Sequence, residues 1–355
     1  MKKVEDAFRD KISDLILENE LSISEFALEK DFIVTDVLQA ISKINNEKFN
    51  LVFCGGTCLS KAYGLLERIS EDVDIKLVPK PGVVLNANQR RSAISKLKKD
   101  IVQSLLNIGF EEGDIQQKAL DGNSYVEFNV EYSTHFDVEP AMRAAMKLEL
   151  NYTNLSLPSV DIDIGLLFDE LSGKKTQTLK MQCVDIREAL TEKLISFPRR
   201  LAMHLTDAER FKFDKALVRH LFDVHRIVEG NPKITQDFEL KSLLLSAMDK
   251  DAKDFMHQYP KFLINPVGEI QNAMNVANSK PEYRKMYDEF VKVMVYGKDI
   301  PSFGDALSGF NTVLTALLPS ANTNFNHHAA ELAPRFEIGD LASSVKQLPA
   351  RMALP

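Results

Sequence analysis

The sequence predicts an α+β protein: a mixed sheet with flanking helices in the first half, then a mostly α-helical second half. Three observations predict it. The run NLVFC (50–54) is apolar after its first residue and leads into Gly55-Gly56, as expected of a strand buried on both faces. DVDIKLV (72–78), SYVEFNVEY (124–132) and MKLELNY (146–152) alternate polar and apolar residues with the period of two that marks a half-buried strand. Beyond about residue 176 the alternation fades, and apolar residues recur at the intervals of helices with one buried stripe.

Residues 1 to about 48 read as helical, with Ile12, Leu15 and Ile16 and then Phe32, Val37 and Ile41 at helix-like intervals. Ser22 or Ser24 can cap the segment EFALEKDF. SAISKLKKDIVQSLLNIGF has the spacing of an amphipathic helix that stops at Gly109. After TLKMQCVDI, the last strand-like run, IREALTEKLISF places Ile186, Leu190, Leu194 and Phe197 on one stripe. FDKALVRHLFDVHRIV does the same with Phe213, Leu217, Leu221, Val224 and Val228. Further helices follow through ELKSLLLSAM and PEYRKMYDEFVKVMVYG. The expected organisation is a sheet domain over 1–175, a helical domain over 176–318 and a tail over 319–355, the last rich in Asn, Ala and Pro with weak periodicity.

With 355 residues, 45% hydrophobic and 27% charged, the chain can bury a substantial core and is long enough for two domains. A formal net charge of −7 argues against a protein that coats nucleic acid non-specifically, which needs a broad basic surface. The best basic cluster, Arg90, Arg91, Lys96, Lys98 and Lys99, reads as a solvated helix face. The charged N-terminal segment lacks the apolar run of a signal peptide, and no stretch reaches the roughly 20 apolar residues of a membrane span, so the expectation is a cytoplasmic protein without membrane contact. Cys54, Cys58 and Cys183 are too few for a disulfide framework, lack zinc-site spacing and read as packing residues.

The chemistry is concentrated in FCGGTCLSKAYGLLERISEDVDIKL (53–77). Two glycines after a buried strand allow a tight turn and close approach of backbone to a ligand, and Thr57 can cap the next helix so that its free N–H groups face an anion. That is a phosphate-binding geometry, although Gly-Gly-Thr is a weak signal alone and is neither a Walker loop nor a dinucleotide fingerprint. In a strand Asp72 and Asp74 point the same way, and paired carboxylates are stable beside a cation such as Mg²⁺ or Mn²⁺. A helix that folds back between the two ends would bring phosphate and metal together.

GGTCLSKAYGLLERISEDVDI resembles the first motif of the nucleotidyltransferase superfamily, and more closely the AbiEii/AbiGii-type toxins, in which Gly-Gly-Ser/Thr precedes Arg-x-Ser-x-Asp-x-Asp. The matching residues are Gly55, Gly56, Thr57, Arg68, Ser70, Asp72 and Asp74. The upstream Glu29-Lys30-Asp31 is similar to that family's Glu-Lys-Asp helix. The resemblance implies a nucleotidyltransferase-like sheet domain, with a third carboxylate from a neighbouring strand. Glu149, in the Lys-x-Glu of MKLEL with Lys147, fits that role; Asp161 and Asp163 rank second, and Glu127, Glu131 and Asp137 stay open.

EALTEKL matches the family's Glu-Lys-Leu motif through Lys193, and RHLFDVHRI its Arg-x-x-Tyr/Phe-Asp-Leu motif through Arg219, Phe222 and Asp223. Four motifs thus lie in order between about residues 25 and 230. A snorkelling lysine and an i,i+4 Arg219–Asp223 pair are the plain alternatives for these residues. His220 and His225, five residues apart, fall on different helix faces and suggest no metal site.

The resemblance implies a metal-dependent enzyme that moves a nucleoside monophosphate from a nucleoside triphosphate to RNA, with tRNA as the first candidate, as the toxin beside a cognate antitoxin. Asp72, Asp74 and Glu149 would hold Mg²⁺ (or Mn²⁺). Gly55, Gly56, Thr57, Arg68, Ser70 and Lys193 would bind the nucleotide, and Asp223 would act as base or orient Lys193. Arg90, Arg91, Arg199 and Arg200 are candidates for an RNA-facing surface. Transfer to a small-molecule or protein hydroxyl, and a nucleotide-binding module without transfer, are the alternatives.

Overall fold

In the computed structural model of the chain, residues 1–139, 142–174 and 178–319 are described. The expected tail lies outside them from residue 320 on, as do the residues on either side of the expected 175/176 boundary. The described residues fall into two compact units, Met1–Ala189 with Glu289–Ile300, and Leu190–Asp288 with the residues from Pro301 on.

The first unit carries α1 (Asp6–Asn19), α2 (Glu25–Ser42), β1 (Phe49–Cys54), α3 (Gly55–Lys61), β2 (Asp72–Pro79), α4 (Ala87–Asn107), β3 (Ile115–Leu120), β4 (Tyr125–Glu131), β5 (Ala145–Tyr152), β6 (Val160–Ile164), α5 (Leu167–Leu171) and β7 (Leu179–Cys183). The strands form one mixed seven-stranded sheet in the order β3-β4-β5-β2-β1-β7-β6. At its centre β2 runs antiparallel to β1 and parallel to β5.

Alternation sorts the sheet into two faces. Val73, Ile75 and Leu77 of β2, Met146, Leu148 and Leu150 of β5, and Val126, Phe128 and Val130 of β4 are all buried. α2 and α4 lie near one another, and α2 lies near β2 and β5. α2 contributes Ile33, Val34, Val37 and Ile41 to the core, and α4 contributes Ile94, Leu97, Ile101 and Leu105. Ser24 caps α2 by accepting from the Ala27 N–H, and α4 gives way to Gly109, whose φ of +99° few other residues adopt. The opposite face carries Asp72, Asp74 and Lys76 beside Lys147, Glu149 and Asn151.

The second unit holds most of α6 (Ile186–Thr206), α7 (Arg219–Gly230), α8 (Phe238–Asp254), α9 (Pro260–Ile264), α10 (Pro266–Ser279), the start of α11 (Pro281–Met294) and α12 (Phe303–Leu317). Its core is aromatic, with Phe197 against Phe213 and Phe310, Phe213 against Tyr283, and Tyr287 against Phe303. Two local expectations change. α6 continues through Pro198, and α7 begins only at Arg219, because Asp214 instead caps a short 3₁₀ turn by accepting from the Ala216 N–H.

Candidate active site

β1 delivers the chain into the Gly55-Gly56 turn, and its antiparallel neighbour β2 returns to the same place, with Cys54 opposite Asp74. Antiparallel pairing of the flanking strands therefore joins the two ends of the motif. A long intervening helix does not, since α3 stops at Lys61.

The two glycines are shaped by the downstream motif. Gly55 has φ +77°, and a Cβ on it would lie 2.9 Å from Asp74 Cγ and nearer still to Oδ2. A Cβ on Gly56 would lie 2.5 Å from Arg68 Nη2 and 3.3 Å from Ser70 Oγ. Arg68 itself is 2% exposed, donates to the Ile69 carbonyl at 3.0 Å and lies over Phe290. Thr57 is not the helix cap expected of it, because α3 already begins at Gly55. Its buried hydroxyl bonds to Ser70 Oγ at 2.7 Å and to the Asp72 carbonyl, tying the turn to the acid strand. The groups of the motif nearest to solvent are Gly55, Gly56, Ser70, Asp72 and Asp74.

On the polar face Asp72 lies opposite Lys147 and Asp74 opposite Glu149, with Glu127 of β4 opposite Glu149 in turn. Lys147 pairs with Glu149 and reaches Glu127 at 3.6 Å. Burial alone pulls its ammonium down, but the hydrogen bond to Glu149 and the charges of Glu149, Asp72 and Glu127 raise it above the ordinary lysine value. Lys76 of β2 is buried and donates to Glu188 at 3.1 Å; the other Glu188 oxygen accepts from the Ser156 and Leu157 N–H groups.

The Glu29-Lys30-Asp31 helix is not an exposed charged turn. Glu29 accepts the His135 N–H, Lys30 pairs with Glu71 in the core, and Asp31 accepts from Lys61 at 2.6 Å and from the Leu167 N–H at 2.9 Å. Lys30 also donates to the Arg143 carbonyl at 2.6 Å, and Glu71 accepts the Arg143 N–H at 2.9 Å. The Arg143 guanidinium reaches Asp72 Oδ1 at 2.6 Å. Sequence reading missed Arg143, because AMRAAMKLEL carries no periodic signal before the strand begins.

In the second unit Lys193 Nζ donates to Asp223 Oδ2 at 2.7 Å, and Asp223 is completely buried. The adjoining His220 has an Nδ1 without a hydrogen-bond partner; burial, reinforced by the Lys193 charge, holds it well below the ordinary histidine value and keeps the ring neutral. Arg199, an RNA-facing candidate, is 6% exposed, pairs with Asp251 at 2.7 Å and lies over the Phe255 ring. Asp161 and Asp163 are exposed on β6 at the sheet edge, separated from β2 by β7 and β1. The three cysteines are buried, and burial raises the Cys58 thiol.

The family model for the nucleotidyl transferase AbiEii toxin of type IV toxin–antitoxin systems matches residues 36–308. The chain belongs to this family. As an AbiEii protein it is a nucleotidyltransferase toxin, and a nucleotide substrate and an antitoxin partner follow from that assignment. Among solved structures the fold is similar to that of MenT4, a nucleotidyltransferase toxin from Mycobacterium tuberculosis H37Rv, with a TM-score of 0.52 and 15% identity over 91% of this chain and 92% of that one. No curated protein matches the sequence.

Divalent magnesium takes hard oxygen ligands and commonly uses one or two carboxylates together with substrate phosphates and water. Asp72 and Asp74 of this AbiEii chain supply that donor set on one strand face. No group of three or more His, Cys, Asp or Glu side chains among the described residues is arranged to hold a metal. Glu149, the expected third ligand, lies opposite Asp74 on β5 and is paired with Lys147. The donors therefore fit an ion shared with a substrate, and do not form an all-protein cage.

Proposed function

We infer that this AbiEii toxin moves a nucleoside monophosphate from a nucleoside triphosphate onto an RNA hydroxyl, with tRNA the first acceptor to test, and that it does so in the cytoplasm. One observation carries the reading: Asp72 and Asp74 share a strand face whose second acid lies against the Gly55 turn. Asp72 and Asp74 would hold Mg²⁺, with Glu149 available beside Asp74. Bound there, the ion would neutralise charge on the triphosphate and polarise its α-phosphorus.

The rest is positioning by the chain. Ser70 and the Gly55-Gly56 backbone border the phosphates, while Thr57 and the buried Arg68 hold that wall in place. The acceptor oxygen attacks the α-phosphorus, the bond to the bridging oxygen breaks, pyrophosphate leaves and the hydroxyl proton passes to solvent. Lys193 is assigned to phosphate charge on the strength of its motif. A wholly buried Asp223 has no surface for an acceptor hydroxyl, so orienting Lys193 is the role its hydrogen bond supports. Arg91, Lys96 and Lys99 are exposed along α4, a local basic face on an acidic chain that suits a phosphate backbone. Among the described residues no helix is long and apolar enough to cross a membrane.

The test is to incubate the protein with Mg²⁺, each α-labelled nucleoside triphosphate and total tRNA, beside an Asp72→Ala, Asp74→Ala double variant. Label on tRNA with the unaltered protein alone supports the reading and identifies the nucleotide. Label on protein, or on a small acceptor only, overturns the RNA assignment.

A further inference from the structure

We propose that Arg143 is a triphosphate ligand, held at Asp72 until a divalent ion claims that carboxylate. The inference rests on the reading of Asp72 as a metal ligand.

Placement is the first argument. The Arg143 backbone is held on both sides by one buried ion pair, its carbonyl by Lys30 and its N–H by Glu71. Lys30 and Glu71 are 1% and 6% exposed, so this anchor is part of the core. Glu71 directly precedes Asp72 in the chain, and the clamp therefore fixes Arg143 relative to the acid strand. A solvated arginine that merely met a surface carboxylate would need no such anchor.

Availability is the second. The Arg143 side chain is half exposed, and among the described residues the hydrogen bond it makes is from Nη2 to Asp72 Oδ1 at 2.6 Å. A guanidinium has five N–H donors in a planar fork that matches phosphate oxygens bidentately. With the side chain half exposed, the guanidinium is open to a ligand at its contact with Asp72.

Exchange is the third. A divalent ion on Asp72 puts like charge beside the guanidinium and weakens that pair, while the phosphates that accompany the ion offer several anionic oxygens within reach of the same side chain. Lys147 is less free to make this move, because it is 12% exposed and sits between two carboxylates, Glu149 and Glu127.

The test compares the full-length protein with Arg143→Ala and Arg143→Lys. Binding of Mn²⁺ alone is followed by the loss of its free-ion paramagnetic signal, and binding of the labelled nucleotide at saturating Mg²⁺ by equilibrium dialysis. The clamp acts through the backbone, so both variants keep it. Arg143→Ala is expected to bind Mn²⁺ several-fold more tightly and the nucleotide about 10-fold more weakly, a 10-fold change corresponding to about 1.4 kcal/mol. Arg143→Lys is expected to fall between. Tighter Mn²⁺ with unchanged nucleotide affinity would leave Arg143 a counter-ion and overturn the proposal, as would unchanged Mn²⁺ affinity. Failure of the underlying reading looks different: the unaltered protein would then bind Mn²⁺ no better than Asp72→Asn.

Discussion

Gly55 and Asp74 occupy one another's space: a Cβ on the glycine would lie 2.9 Å from the aspartate Cγ and closer to its Oδ2, and the glycine φ is +77°. The glycine of the motif and its second acid, 19 positions apart, are thus a single packing unit. Gly56 differs, since its missing Cβ makes room for the end of the Arg68 side chain.

Gly55→Ala is therefore expected to be much worse than Gly56→Ala. The first carries about 1–2 kcal/mol of left-handed backbone strain and displaces Asp74. If Asp74 holds the ion as proposed, its displacement costs on the order of 100-fold in rate. In Gly56→Ala the Arg68 Nη2, 2.5 Å from the added Cβ, has to move aside, but it is the far end of a flexible side chain and the backbone carries no left-handed strain, so a loss nearer 10-fold is expected, on the scale of about 1.4 kcal/mol. Nucleotide transfer rates of the two variants, with melting temperatures alongside, decide the ranking.

Where burial follows a period, the sequence reveals it: β2, β4 and β5 are recognisable because one face is core and the other polar. β3 carries no such pattern, as four of the six residues in IQQKAL are exposed on an edge strand. The acids of the site are legible for the same reason, since alternation alone puts Asp72, Asp74, Lys147 and Glu149 on one face. Their partners are not. Arg143 reaches Asp72 across 71 residues, a pairing that depends on tertiary packing that no local pattern encodes, whereas the Lys193–Asp223 pair, 30 residues apart, is anticipated only through the two motifs of the family resemblance. Thr57 shows the converse error: a hydroxyl placed to cap a helix is spent on Ser70 and Asp72.

Lys30 and Glu71 give a second prediction. Burial pulls the Lys30 ammonium below its ordinary value, and the charge of Glu71 opposes that. Removing one member of such a pair costs about 3–5 kcal/mol, whereas replacing both with apolar residues is often close to neutral. In urea unfolding, Lys30→Met should lose several kcal/mol, and a Lys30→Met, Glu71→Leu double variant should recover at least half. Nucleotide affinity should stay low in the double variant, because the Arg143 anchor is gone. Full recovery of both would remove the clamp from the argument.

Lys193 and Asp223 make a third. If Asp223 acts by orienting Lys193, the two should not add. Lys193→Ala and Asp223→Ala should each lower kcat, and the double variant should be no slower than the slower single, as for residues that work as a unit. Asp223→Ala should also destabilise by about 3–5 kcal/mol, since it strands a buried ammonium. Rates that multiply in the double variant would restore an independent role for Asp223.

Asp251 supplies a pH dependence in the helical unit. Burial pushes its carboxyl from 3.8 up to about 6, even with Arg199 2.7 Å away. Below pH 4 both the folded and unfolded states hold the proton, and Asp251 contributes no slope. Between pH 4 and 6 the unfolded state ionises first and binds fewer protons, so stability falls as pH rises. Above pH 6 both are ionised, and the accumulated cost is about 3 kcal/mol. Urea unfolding of the unaltered protein should therefore show a downward trend across this window that Asp251→Asn lacks. The variant strands the Arg199 charge, but that offset is constant with pH and leaves the difference in slope readable. Parallel stability curves would mean that Asp251 ionises at its ordinary value, with Arg199 compensating its burial in full.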